Sequence, residues 1–296
     1  MVVVCVMAVA NTASADTFGS GANEFTIDFV SIGNAGNVSD LTTGYGAVGY
    51  EYRIGKYEVT NAQWNAFTAV AAAPIGYDPG YSSDSYWTGT QQPANSVSWY
   101  ESLQFCNYLT SGDKSKGAYQ FSGNNINPED FLGINRAAAI LTYGTVYVLP
   151  NENEWYKAAY YKADGSGYSI YANGQDAIPI ADNGWNYFGG AYDSPWNVGS
   201  GTKEQNGTFD MMGNVFEWNE TIIDSSYRGI RGGSYSYYFG HDSDFMISSA
   251  RIFSCYPYYE NAYTGFRIAS IPEPATLLLL GLGGVILRSK KAKGKR

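Results

Sequence analysis

Three segments of this 296-residue chain open with the same local signal. Thr60 is followed three residues on by Gln63, Ser98 by Glu101 and Asn151 by Glu154. Each pair suits the reciprocal arrangement in which an N-cap side chain and an N3 side chain satisfy backbone donors left unpaired at the start of a helix. Behind each pair lies an apolar stripe at helical spacing: Trp64, Phe67 and Val70; Leu103, Cys106 and Leu109; Trp155, Ala158 and Ala159. All three helix starts lie before residue 160. From about Gly165 onward the helical period is lost, and Gly, Asn, Asp, Ser and aromatic residues dominate, a composition that makes short strands and long ordered loops. Residues 24–32, ending at Gly33, and residues 50–59 alternate apolar and polar side chains and predict strands ahead of the first helix. The pattern predicts one α+β domain, low in regular secondary structure, with its helices in the first half.

Both ends read as targeting segments. Residues 1–15 combine an apolar run with the small-residue ending Ala13, Ser14 and Ala15, which predicts a signal peptide cut after Ala15. At the other end, Pro272, Glu273 and Pro274 precede an apolar run over residues 276–287 and six basic residues within 288–296. Twelve helical residues span about 18 Å, short of a hydrocarbon core of about 30 Å, and the basic cluster would hold that end on the cytoplasmic side. Together these features resemble the PEP-CTERM sorting tail of bacteria, which implies export, transient membrane association through the tail, and an exosortase as the processing partner. The expected organisation is a signal peptide at 1–15, a strand and Gly-rich lead-in at 16–49, a domain at 50–270 and the sorting tail at 271–296.

The chain has 18 Lys and Arg against 27 Asp and Glu, a net charge of −9, and the basic residues of the tail leave the remaining body more acidic still. Such a body is repelled by nucleic acid. Cys5 falls in the signal segment. Cys106 lies on the apolar stripe of its helix, where a small buried hydrophobe is expected rather than a reactive thiol. Whether Cys106 and Cys255 pair in an oxidising compartment is left open by the sequence. One histidine, His241, excludes a His-rich metal site, and no Gly-rich phosphate loop or Ser-His-Asp set is present.

Six blocks of the chain, at residues 55–64, 93–99, 149–155, 207–220, 231–235 and 264–267, resemble in order the conserved segments of the formylglycine-generating enzyme, or sulfatase-modifying factor, family. The resemblance implies an α+β fold related to the C-type lectins. It implies structural calcium on Asp210, Gly213, Val215 and Glu217, where a glycine between two carboxylates aims carbonyls inward and supplies hard oxygen donors. It also suggests a second calcium site near Asn183 and Asp193.

Active members carry two cysteines shortly after a Gly-Gly-Ser sequence, which bind copper(I) through soft thiolates. Here residues 235–241 contain no sulfur, so copper is not expected. Cys255 lies beyond Ser249 and Arg251, which resemble the family's arginine segment, and Ile268 stands where a family disulfide would place the partner of Cys106. The iron chemistry of other relatives needs a histidine triad that this chain lacks. The expected binding groove holds Ser234, Tyr235, His241 and Arg251, with Tyr237, Tyr238, Tyr256, Tyr258, Tyr259 and Tyr263 offering amphipathic contact area to an extracellular peptide or glycan. The functional expectation is an exported bacterial surface or matrix protein, a calcium-stabilised binding or structural module without catalytic residues. The alternative is an oxidase with an altered metal site.

Overall fold

The computed structural model describes residues 14–72, 87–122, 130–187, 194–236 and 242–272. All three expected capping boxes form, and each starts a helix. Thr60 caps α1 (Asn61–Ala71), Ser98 caps α2 (Trp99–Ser111), and Asn151 caps α4 (Glu152–Tyr160); in each the N3 side chain returns to the N-cap backbone. α2 stops at Gly112, whose φ of 78° is the left-handed conformation that glycine adopts without steric cost. Phe67 is fully buried, whereas Val70, expected on the same face, is 52% exposed. A further helix, α3 (Arg136–Tyr143), is capped by Asn135. It buries only Ala139, so it has no broad apolar stripe to betray it.

The strands are β1 (Ser14–Phe18), β2 (Phe25–Ile32), β3 (Tyr52–Gly55), β4 (Tyr119–Phe121), β5 (Phe131–Ile134), β6 (Val146–Val148), β7 (Phe216–Ile222), β8 (Arg228–Arg231), β9 (Ile252–Cys255), β10 (Thr264–Phe266) and β11 (Ala269–Ile271). Five of them form an antiparallel sheet in the order β1-β2-β3-β11-β6, so the strand latest in sequence sits between β3 and β6. A second sheet, β10-β7-β8-β9, pairs β10 with β7 in parallel and the others antiparallel. β4 and β5 make a small ribbon.

The strand expected over residues 50–59 is shorter in the structure: at Gly55 the backbone turns to bond Ile268 and then leads into α1. β1 begins two residues before the expected signal cleavage point. A cut after Ala15 would leave Asp16 in the strand, ion-paired to Arg53 at 2.6 Å and accepting from the Tyr147 hydroxyl.

The core is strongly aromatic. Trp64 and Phe67 of α1 pack on Phe105 of α2, which in turn meets Phe266 of β10, with ring centroids 5.2–5.8 Å apart. Each of three fully buried tryptophans has a partner for its indole N–H: Trp99 donates to the Asn219 carbonyl, Trp218 to the Val97 carbonyl and Trp155 to Glu217. Those bonds tie α2, α4 and β7 together, and residues 216–220 of β7 are all buried.

Candidate functional site

Arg267 follows β10 and is fully buried. Its guanidinium meets Glu217 of β7 as a two-pronged fork, Nη2 to Oε1 at 2.5 Å and Nε to Oε2 at 2.6 Å. The remaining donors go to the carbonyls of Gly55 and Phe209. Trp155 Nε1 adds a third bond to Glu217 at 2.7 Å. Three more buried carboxylates surround this pair: Glu58, Glu204 and Asp210. Burial raises the Glu58 pKa well above the ordinary value, reinforced by the charges of Asp210 and Glu217. Burial pushes Glu204 up to about 8 and Asp210 up to about 6. For Arg267, desolvation works against the charge, but Glu217 more than offsets it and holds the pKa above the ordinary value. Four acids thus share one guanidinium.

The loop from Asp210 to Val215 is shaped for close approach. Asp210 and Asn214 both have positive φ, 62° and 60°. Gly213, at φ 83°, lies so close to the Asn186 carbonyl oxygen that any Cβ would collide with it. Asn214 Nδ2 donates to Glu58 at 2.6 Å, and Val215 N donates to the other oxygen at 3.2 Å. Asp210 accepts from Gly199 N at 2.8 Å. Two buried acceptors here, Asn186 Oδ1 and Glu204 Oε1, have no hydrogen-bond partner.

This neighbourhood suits a hard cation in two respects: its buried negative charge exceeds its positive charge, and it holds orphaned oxygen acceptors. The donor set itself is less simple than the resemblance implies. Glu217, expected as a metal ligand, has both oxygens engaged by Arg267. Among the described residues no three His, Cys, Asp or Glu side chains converge as a metal cage, so carbonyl oxygens would have to contribute. For the second expected site, Asn183 is exposed in the loop before Trp185 and Asp193 lies outside the described residues.

The expected groove is rearranged. Ser234 and Tyr235 are buried, not presented to a ligand: Tyr235 accepts from Trp87 Nε1 at 2.6 Å and donates to the Ala262 carbonyl. Arg251 joins a second buried ion cluster, lying 3.3 Å from Glu152 and donating to the Tyr45 hydroxyl at 2.9 Å. Glu152 also holds Arg231 at 2.5 Å. His241, Tyr237 and Tyr238 lie outside the described residues, as do Glu273 and Pro274; Pro272 is exposed beyond β11. Tyr256, Tyr258 and Tyr259 remain together and only partly buried, with centroids 5.1–5.3 Å apart. Tyr227, which sequence reading missed because it precedes β8, joins them at 4.7 Å.

Neither thiol is disposed for chemistry. Cys106 on α2 and Cys255 on β9 are free and buried. Burial pushes the Cys255 thiol up to about 12 and the Cys106 thiol well above its ordinary value. Two cavities open elsewhere. One of about 490 Å³ is bordered by Lys116, Phe121, Leu132 and Tyr143, and one of about 350 Å³ by Val38, Leu41, Tyr161 and Tyr168. Neither touches the residues singled out from sequence.

Comparison with known proteins accords with this architecture. The chain is 26% identical over 188 residues to the chaperone protein LppX of Paenibacillus barcinonensis, an alignment covering 57% of this chain and 61% of that protein. Among solved structures it resembles Treponema denticola variable protein 1, at TM-score 0.58 and 20% identity over 90% of this chain and 100% of the other. CarF gives TM-score 0.60 and 23% identity over 84% and 99% of the two chains. PvdO from Pseudomonas aeruginosa gives 0.56 and 16% over 86% and 97%. At these identities the structures share a fold with this chain, the formylglycine-generating-enzyme-like and C-type-lectin-like arrangement. Residues 270–291 match the PEP-CTERM protein-sorting motif. Residues 46–271, from the loop before β3 through β11, match the Sulfatase-modifying factor enzyme 1-like domain, and the chain belongs to that family.

Proposed function

We propose that this exported protein is a calcium-stabilised binding or structural module in which the family's oxidase chemistry has been lost. The observation that carries the reading is the state of its thiols. Thiolate, not thiol, binds soft metals and attacks substrates. A thiol held near pKa 12, as Cys255 is, is almost wholly protonated at neutral pH, and Cys106 is shifted in the same direction. The chain between Ser234 and Asp242 offers no sulfur in their place. The half-buried cluster of Tyr227, Tyr256, Tyr258 and Tyr259 supplies rigid rings with polar tips, the surface by which a peptide or glycan would be held. The relative named as a chaperone accords with a role in holding another molecule.

Two measurements test this. Purified protein loaded with copper and supplied with oxygen and a Cys-x-Pro-x-Arg peptide is expected to give no aldehyde by mass spectrometry. Turnover that disappears in Cys255→Ser would favour an altered oxidase instead. For calcium, Asp210 with the Gly213 and Val215 carbonyls would hold the ion, and a ligand bound only to the folded state stabilises by about 2.7 kcal/mol at a hundredfold excess over Kd. Chelation is expected to lower the Tm of the parent chain and to leave that of Asp210→Asn unchanged. Asp210 is the cleaner probe, because removing Glu217 would also strand Arg267. Identical melting of the parent chain with and without chelator would remove calcium from the proposal.

A further inference from the structure

The sorting motif follows the fold with almost no linker. β11 ends at Ile271, which is buried and paired with Val146, and the apolar run begins at Thr276. Four intervening residues reach at most about 14 Å when fully extended, and about 6 Å of that is taken up by the headgroup layer on one side of a bilayer. A domain of this size has a radius of gyration of about 18 Å. Once the apolar run is in a membrane, the domain is too large and the tether too short for the two surfaces to stay apart.

The sheet determines which surface is pressed down. Val146 of β6 pairs with Ile271, and Arg53 of β3 pairs with the neighbouring Ser270. Ile32 at the end of β2 pairs with Tyr52. The chain exit is therefore flanked by the segment before β6, the segment before β3 and the loop after β2. These carry exposed apolar side chains on both sides of the exit. Leu141 at the end of α3 is 70% exposed and Tyr143 is also exposed. Tyr50 is exposed before β3, and in the loop after β2 Val38 is 77% and Leu41 99% exposed. Lys157 of α4 donates to the Asn34 carbonyl at 2.9 Å, which fixes the start of that loop two residues beyond the end of β2. Tyrosine and leucine at a membrane–water boundary are favourable because the boundary accepts apolar bodies and polar tips together.

We infer that this end of the domain, bearing Val38, Leu41, Tyr50, Leu141 and Tyr143, is a membrane-contacting face that docks on the lipid headgroup layer while the sorting tail is intact. The inference rests on the reading of residues 272–287 as a membrane-inserted sorting segment. Asp40 and Glu51 lie among the same segments, so the contact depends on apolar insertion and not on attraction to anionic lipid.

The test uses the full chain in phosphatidylcholine vesicles containing a headgroup spin-labelled lipid. A fluorophore is placed at Leu41→Cys, Leu141→Cys or, on α1 beyond the far end of β3, Val70→Cys. Cys106 and Cys255 are buried and so resist labelling, and Cys5 is replaced by Ser in all three variants. Quenching is expected to be several-fold stronger at positions 41 and 141 than at 70, and insensitive to added salt. Flotation is read first. A chain that does not float with the vesicles overturns the inserted-tail premise and this proposal with it. A chain that floats with positions 41 and 141 no more quenched than 70 overturns the proposal alone. Unchanged circular dichroism of the labelled variants excludes unfolding as the cause, since all three sites are exposed.

Discussion

Arg267 shows how far a residue's identity can be read from sequence while its role cannot. The Gly-Phe-Arg block marks the position, but the fork onto Glu217, fifty residues earlier, arises only because β10 and β7 pair in parallel and align Gly265 with Glu217. Removing one partner of such a buried pair leaves the other charge uncompensated, which costs about 3–5 kcal/mol. Arg267→Met is expected to lower the unfolding free energy measured in urea by that amount, and Glu217→Gln in the same background to recover part of it. A loss below about 1 kcal/mol in the single variant would show that the pair is dispensable. Tyr235 makes the converse point. Its place after Gly-Gly-Ser suggested a groove, yet its hydroxyl is used by Trp87 and Ala262, contacts between segments far apart in sequence that no local pattern displays.

At the level of elements, the helices with capping boxes were legible because cap and stripe are local signals, and α3 was not because its face is nearly all Ala and exposed side chains. The strands after residue 160 were legible only as a composition. Their pairing depends on contacts between residues 216 and 266 that carry no period. The capping glutamates do more than start helices. Glu154 accepts from Asn151 N at 2.7 Å and also binds Arg136, which reaches Glu220 of β7 at 2.9 Å, so the first turn of α4 is locked to the second sheet.

Glu101 of α2 has no such cation: burial pushes its pKa up to about 7, against an ordinary 4.5, although the Ser98 backbone and hydroxyl oppose the shift. Between those values the folded state holds more protons than the unfolded chain, so stability falls as pH rises through that window, by up to about 3 kcal/mol. Denaturation of the parent chain and of Glu101→Gln at pH 5 and 7.5 should differ in slope, the variant losing less. Equal losses would mean that Glu101 ionises freely.

For the whole molecule, the five-stranded sheet constrains where the chain can be cut at either end without losing a strand. A start at Asp16 keeps the ion pair to Arg53, and an end at or beyond Pro272 keeps β11 between β3 and β6. The intact mass of protein recovered from the cell exterior is expected to correspond to a chain beginning at Asp16 and ending near the Pro-Glu-Pro. Peptides from residues 276–296 in that material would contradict processing, and a terminus before Ala269 would contradict the role of β11.

The central place of β11 also bears on the order of events in the life of the chain. β6 can join β3 only through residues 269–271, so the sheet cannot close while those residues are still to be synthesised. Contacts of such sequence separation are slow to form. A polypeptide whose closing strand arrives last stays open through most of its synthesis, which is the condition a secretion channel for unfolded chains requires.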